Sequence, residues 1–112
     1  MNAPKPATLS LDDLAARIKE RASASAKTSY TRQLLDKGID HCAKKFGEEA
    51  VETVVAAVSE DRERVISETA DLLYHLLVVL EARGVALSEV EAALAARMSK
   101  SGLEEKASRP KS

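Results

Sequence analysis

The fold is decided by one nearly unbroken apolar stretch, Leu72-Leu73-Tyr74-His75-Leu76-Leu77-Val78-Val79-Leu80. The segment from Arg62 to Arg83 contains no glycine or proline, and Gly84 follows it. This predicts one long helix from about Arg62 to Ala82. A helix that is apolar nearly all round has to be buried on most sides. Three or four helices in a chain of this size cannot easily surround it. We therefore expect a homodimer with this helix at or near its centre.

The rest of the chain also predicts helices, and sustained alternation typical of strands is missing. Two capping boxes, Ser10–Asp13 and Ser88–Glu91, indicate the first and last helix starts. The helices are expected at about residues 11–22, 30–37, 39–59, 62–82 and from Ser88 to near Gly102. We predict an all-α helical bundle of about four to five helices per chain, completed by dimerisation. The domain spans residues 9–102, between flexible tails at 1–8 and 103–112.

Composition excludes several classes of protein. Among 112 residues, 17 Lys and Arg balance 18 Asp and Glu, whereas nucleic-acid binders normally carry a basic excess, so we expect no nucleic-acid partner. The single cysteine, Cys42, excludes an internal disulfide and fits a buried structural thiol in a reducing compartment. The apolar runs are too short for a bilayer and no signal peptide is recognisable, so we expect a soluble cytoplasmic protein without membrane contact.

The predicted helix 39–59 carries an apolar stripe with a period of 3.6 residues. We expect this stripe to face the core. Its members are Ile39, Ala43, Phe46, Ala50, Val54, Ala57 and Val58.

Two pairs of carboxylates are the most informative feature for function. Glu49 and Glu52 lie three residues apart on the predicted helix 39–59, and Glu68 and Asp71 repeat that spacing on the next helix. An antiparallel hairpin across the short turn at residues 60–61 brings the pairs together. Two like charges ~4 Å apart repel by ~4 kcal/mol at an effective dielectric near 20, so the cluster needs cations. Oxygen ligands in this number suit Mg²⁺ or Mn²⁺.

Basic and imidazole side chains flank these carboxylates. Lys44 and Lys45 each precede a glutamate by four residues, and either form helix ion pairs or bind a phosphate that the metal also holds. His75 follows Asp71 by four residues; it is either a hydrogen-bonded core residue or one that orients a carboxylate or contacts substrate.

These residues form a recognisable pattern. Glu48-Glu49-Ala50-Val51-Glu52, followed after fifteen residues by Glu68-Thr69-Ala70-Asp71, resembles the EExxE…ExxD signature of the all-α nucleotide pyrophosphohydrolases of MazG type. The longer strings Lys44-Lys45-Phe46-Gly47 and Leu72-Leu73-Tyr74-His75, with Ser29-Tyr30-Thr31, resemble the phosphoribosyl-ATP pyrophosphatase family of histidine biosynthesis.

The resemblance implies Mg²⁺-dependent hydrolysis of phosphoribosyl-ATP to phosphoribosyl-AMP and pyrophosphate. It places the metal ligands at the four carboxylates named above, and a catalytic role, as general base or in positioning water, at Glu48 or Glu49. Lys44 and Lys45 take phosphate-binding positions, and Ser29 and Tyr30 lie near the phosphoribosyl end of the substrate.

Two other functions stay open on the sequence. A house-cleaning pyrophosphohydrolase of the same superfamily shares the metal site and hydrolyses ordinary nucleoside triphosphates. A non-catalytic helical dimerisation module has solvated acidic stripes and no response to Mg²⁺.

Overall fold

The computed structural model describes residues 7–99, 104, 106, 107, 109 and 110. Within them, five helices are assigned and no strand occurs: α1 (Leu11–Ala22), α2 (Tyr30–Asp36), α3 (Ile39–Ser59), α4 (Arg62–Ala82) and α5 (Leu87–Met98). The all-α class is confirmed, and the bounds of α3 and α4 are those predicted. The predicted helix end at Gly102 and most of both predicted tails lie outside the described residues, so the domain limits stay a prediction.

Short polar side chains begin three of the helices. The Ser10 hydroxyl, the Ser29 hydroxyl and the Asp61 carboxylate each accept a backbone N–H three residues further on, at 3.0, 3.1 and 3.0 Å. Each such cap satisfies a donor that the first turn leaves without a partner, and contributes about 1 kcal/mol. The end of α4 is equally local, because Gly84 takes a φ of 68° that favours glycine.

The start of α5 corrects the sequence analysis. The predicted capping box at Ser88 and Glu91 is wrong, because the helix begins at Leu87. The Glu89 carboxylate accepts the backbone N–H of Ala86 at 2.8 Å and so satisfies a donor at the helix start. Glu89 thus takes the role predicted for Glu91, and the N-cap residue Ala86 makes no side-chain cap bond.

The core lies where α1, α2 and the first turns of α3 meet the second half of α4. Its fully buried members are Ile18, Leu34, Cys42, Leu77 and Val78. The thiol of Cys42 donates to the Leu34 carbonyl at 3.2 Å, and burial raises its pKa. This confirms the expected structural thiol. Within residues 72–80, His75, Leu77 and Val78 are buried and the other six are partly buried, so the expected burial of the apolar stretch is seen in part.

Helices α3 and α4 form a hairpin joined at Glu60 and Asp61. The Thr53 hydroxyl on α3 lies 2.8 Å from the Glu49 carbonyl and 3.2 Å from the Glu68 carbonyl of α4, so its proton is shared across the two helices. Just beyond it, Ala56 is fully buried and permits close approach of the backbones. The two acidic pairs are thereby held side by side.

The apolar stripe predicted for α3 is wrong as an intrachain core face. Val54 and Val58 are 62% and 82% exposed. The buried side of α3 instead runs through Cys42 and Ala56. A helix with two apolar sides gives one periodic signal, which cannot say which side α4 covers. The uncovered side, called the valine face below, comprises Val51, Val54, Val55 and Val58 of α3 with Ile66 of α4, all at least 46% exposed.

No helix in the described part of the chain combines the length and the apolar content needed to cross a bilayer.

Candidate active site

Three carboxylates converge where α3 lies against α4. One oxygen each of Glu49, Glu68 and Asp71 falls within 4.8 Å of the others. Glu49 comes from α3, and the other two lie three residues apart on α4. The hairpin therefore produces the convergence that the spacing predicted.

Two of the oxygens in this cluster are buried without a hydrogen-bond partner. They are Oε2 of Glu49 and Oε2 of Glu68, and the Glu68 residue as a whole is only 4% exposed. An uncompensated buried charge is costly, whereas a cation coordinated by both oxygens removes the cost. These orphaned oxygens fit a divalent metal ion.

The pKa values of Glu49 and Glu68 also reflect burial and repulsion between the carboxylates. Burial, followed by the charges of Glu52, Asp71 and Glu68, raises the pKa of Glu49 above its ordinary 4.5. The adjacent Glu52 carboxyl, and then burial, raises the pKa of Glu68 despite the opposing charge of Arg64. Without a cation, this cluster resists full ionisation.

Glu52, the fourth predicted ligand, is exposed and lies outside the group of three. The Glu52 carboxyl nevertheless raises the pKa of both Glu49 and Glu68, so it lies at the border of the cluster.

Arg64 is the functional neighbour that sequence reasoning missed. Its Nη2 lies 2.8 Å from Oε1 of Glu68, and its Nε donates to Oε2 of Glu60 at 3.0 Å. Both partners are four residues away on the chain, a spacing that could have revealed them. Arg64 partly neutralises Glu68 and leaves its other oxygen free to face the cluster.

Lys45 lies on α3, four residues before Glu49 of the cluster. Its Nζ lies 3.3 Å from Oε2 of Glu48, and this hydrogen bond, followed by the charges of Glu48, Tyr30 and Glu49, raises the lysine pKa. The ion pair thus forms at a spacing of three residues, instead of the four considered from sequence. Lys44 is exposed.

The predicted residues at the start of α2 behave differently from each other. Ser29 is buried; its hydroxyl donates to the Arg21 carbonyl at 3.0 Å and accepts the Arg32 amide. Tyr30 is 52% exposed and stacks on Tyr74 with ring centroids 6.4 Å apart. Tyr30 offers a free aromatic surface, whereas Ser29 shapes the backbone.

His75 adjoins both the carboxylates and these aromatic rings. It is 6% exposed, and its Nδ1 is buried without a partner. Its ring meets Tyr74 edge-on at 5.1 Å and Tyr30 at 6.5 Å. Burial, reinforced by the charge of Lys45, lowers the pKa of His75, so the imidazole is neutral near pH 7.

Sequence reasoning also missed a buried polar pair that fixes α2 on α4. The hydroxyls of Thr31 and Tyr74 lie 2.6 Å apart, and Thr31 is only 2% exposed. This bond holds the Tyr74 ring beneath Tyr30 and beside His75. Nothing in the spacing of two residues 43 positions apart predicts it.

The fold is an all-α helical hairpin on which three carboxylates that could hold a metal ion converge. Comparison with known sequences gives the particular family. The chain belongs to the phosphoribosyl-ATP pyrophosphohydrolase family, whose model matches residues 11–98.

Relatives named phosphoribosyl-ATP pyrophosphatase match this chain over nearly their full lengths. A phosphoribosyl-ATP pyrophosphatase 1 of Rhodopseudomonas palustris is 65% identical over 103 residues, which cover 92% of this chain and 96% of the relative. The phosphoribosyl-ATP pyrophosphatase 1 of Bradyrhizobium diazoefficiens is 68% identical over 88% of this chain and 93% of its own. The phosphoribosyl-ATP pyrophosphatase of Nitrobacter hamburgensis is 61% identical over 88% and 92% respectively.

Proposed function

We propose that this chain hydrolyses phosphoribosyl-ATP to phosphoribosyl-AMP and pyrophosphate, the second step of histidine biosynthesis. The observation that carries the proposal is the convergence of Glu49, Glu68 and Asp71 with two buried oxygens that have no partner. The family relationship gives the substrate.

The residues that would hold a divalent cation are Glu49, Glu68 and Asp71, with Glu52 joining from the border of the cluster. All four offer only carboxylate oxygens, which favours Mg²⁺, with Mn²⁺ as a substitute. When bound, such an ion neutralises triphosphate charge and lowers the pKa of an attacking water.

The remaining site residues take roles that follow from their positions. Lys45, already beside the cluster, exchanges its contact with Glu48 for a substrate phosphate, and Lys44 supplies a second positive charge nearby. Release of Glu48 from that ion pair leaves its carboxylate available to position water or accept its proton; Glu49 is the alternative base.

The substrate's nucleoside part is proposed to cross the surface next to Lys45. The exposed Tyr30 ring provides a stacking face there, and the buried His75 packs edge-on against Tyr30 and Tyr74 from below. Ser29 contributes indirectly, because its two hydrogen bonds fix the backbone that carries Tyr30.

We also propose that two copies of the chain pair through the valine face. Contiguous exposed valines on α3 and an isoleucine on α4 are costly in water, and a second copy offers an identical apolar surface. A reaction on a nucleotide, and a lone buried cysteine, favour the cytoplasm as the location.

Pyrophosphate release tests the proposed substrate directly. The purified chain is given phosphoribosyl-ATP, ATP or dCTP, each with Mg²⁺ and with EDTA. Metal-dependent release from phosphoribosyl-ATP alone is expected. Release chiefly from ATP and dCTP would instead establish a house-cleaning enzyme with the same metal site. Absence of release from all three would favour the non-catalytic helical module.

A further inference from the structure

A cavity lies between α1 and the Thr31–Tyr74 hydroxyl pair. This cavity has a volume of about 240 Å³. Its polar lining consists of Arg17 and Arg21 from α1 together with Thr31 and Tyr74, and Leu14 and Ile18 are among the apolar residues that complete it. No carboxylate belongs to its lining among the described residues, so the cavity is positive.

Neither arginine is engaged elsewhere in the described part of the chain. Arg17 and Arg21 lie four residues apart and project from the same side of α1. No hydrogen bond or ion pair from either guanidinium occurs within residues 7–99, although three other basic residues there, Arg32, Lys45 and Arg64, form ion pairs. Arg21 is close enough to Tyr74 for its charge to oppose the rise that burial causes in the pKa of that phenol. Two uncommitted guanidiniums above two hydroxyls form a site for an anion.

Two neighbouring side chains, Tyr74 and His75, connect the cavity to the carboxylate cluster. Tyr74 forms part of its wall, and the same ring contacts His75, which follows Asp71 by one helical turn. Tyr30 stacks on Tyr74 and lies within reach of the charge of Lys45. The rings of Tyr30, Tyr74 and the buried His75 therefore lie between the arginines and the carboxylates.

We propose that Arg17 and Arg21 bind the phosphate on the second ribose of the substrate. This rests on the proposed function, because phosphoribosyl-ATP carries anions at two ends: the triphosphate that is cleaved and the phosphomonoester of the phosphoribosyl group. A guanidinium pair recognises a phosphomonoester through charge-assisted hydrogen bonds, and the Thr31–Tyr74 pair adds the one hydroxyl proton that their mutual bond leaves free. Ordinary nucleoside triphosphates lack this second phosphate, so the cavity selects the substrate.

Binding of the reaction product separates this subsite from the catalytic centre. Affinities for phosphoribosyl-AMP and AMP are measured by calorimetry without divalent cations, for the wild type, Arg17→Gln and Arg21→Gln. The matched control is Lys19→Gln, which removes the same charge from the same helix but lines a different cavity. Each arginine variant is expected to weaken phosphoribosyl-AMP roughly tenfold, the loss of one charge-assisted contact, and to leave AMP unchanged. Lys19→Gln is expected to match the wild type.

Turnover gives an independent readout. In both arginine variants the KM for phosphoribosyl-ATP rises by a similar factor while kcat stays within about twofold, because the contact is the same in ground and transition states. Equal losses for AMP and phosphoribosyl-AMP, equal losses in Lys19→Gln, or no loss at all would overturn the subsite. A wild type that fails to cleave phosphoribosyl-ATP would overturn the proposed function, and product binding would still decide the role of the arginines.

Discussion

Replacement of Glu49 by Gln removes a charge from the carboxylate cluster and keeps its shape. In the wild type, a Glu49 oxygen lies within 4.8 Å of oxygens of both Glu68 and Asp71. At that separation two full charges repel by about 3.5 kcal/mol at an effective dielectric near 20. Two such repulsions disappear in Glu49→Gln, and the new amide can donate to either neighbouring carboxylate.

The net gain is smaller than the sum of these repulsions. Solvent screens charges on a half-buried group, so the repulsions act at less than full strength. We expect the metal-free variant to be more stable than the wild type by about 1–2 kcal/mol near pH 8 at low salt. For a domain of this size, the melting temperature rises by roughly 4–8 °C.

Scanning calorimetry with and without Mg²⁺ tests both the stability gain of Glu49→Gln and the role of Glu49 in metal binding. Mg²⁺ should raise the melting temperature of the wild type, because it binds the folded state alone, and should leave Glu49→Gln nearly unchanged. The control Glu91→Gln removes an exposed charge from α5, far along the chain from the cluster, and should behave as wild type. A metal-free Glu49→Gln that melts below the wild type, or that keeps the full Mg²⁺ effect, would refute the reasoning.

Three further outcomes follow from the same structure. The folded state raises the pKa of Glu49 and Glu68, so it binds more protons than the unfolded chain. The contribution of these two carboxyls to the stability of the metal-free protein is therefore most favourable below their ordinary pKa. That contribution declines as pH rises through the raised pKa values. Mg²⁺ competes with those protons, so its calorimetric stabilisation should grow from about pH 5 to about pH 8; a constant effect would contradict this. Val54→Glu places a charge in the valine face and should convert a dimer to a monomer in sedimentation equilibrium, and an unchanged dimer would place the interface elsewhere. Tyr74→Phe leaves the buried Thr31 hydroxyl without its partner and should cost about 1–2 kcal/mol in chemical denaturation; an equal cost in a Thr31→Val background would show that the bond contributes nothing.

Local signals account for what the sequence predicted well. The Ser10 and Asp61 caps and the glycine at residue 84 act within one turn of each helix, so the starts of α1 and α4 and the end of α4 could be derived without tertiary information. The acidic pairs were predictable for a related reason. A two-residue connection forces α3 and α4 to run antiparallel, and a spacing of three keeps each pair on one side.

Features that depend on which surfaces meet could not be predicted from one sequence. The exposed Val54 and Val58 carry the same periodic signal as a buried stripe, and only the packing of Ala56 against α4 shows which side is covered. The Thr31–Tyr74 bond and the arginine-lined cavity join α1, α2 and α4 across long stretches of chain, and periodicity carries no information about such contacts.

Carboxylates from α3 and α4 are proposed to hold the cation needed for pyrophosphate release. The most direct measurement is the turnover of phosphoribosyl-ATP by Asp71→Asn at saturating Mg²⁺, beside the wild type and the control Glu91→Gln. Asp71 supplies one of the three converging oxygens and is itself exposed, so the variant should fold normally. Turnover is expected to fall at least about a hundredfold, the scale of a lost metal ligand, while the control is unaffected. Near-wild-type turnover by a folded Asp71→Asn would contradict it.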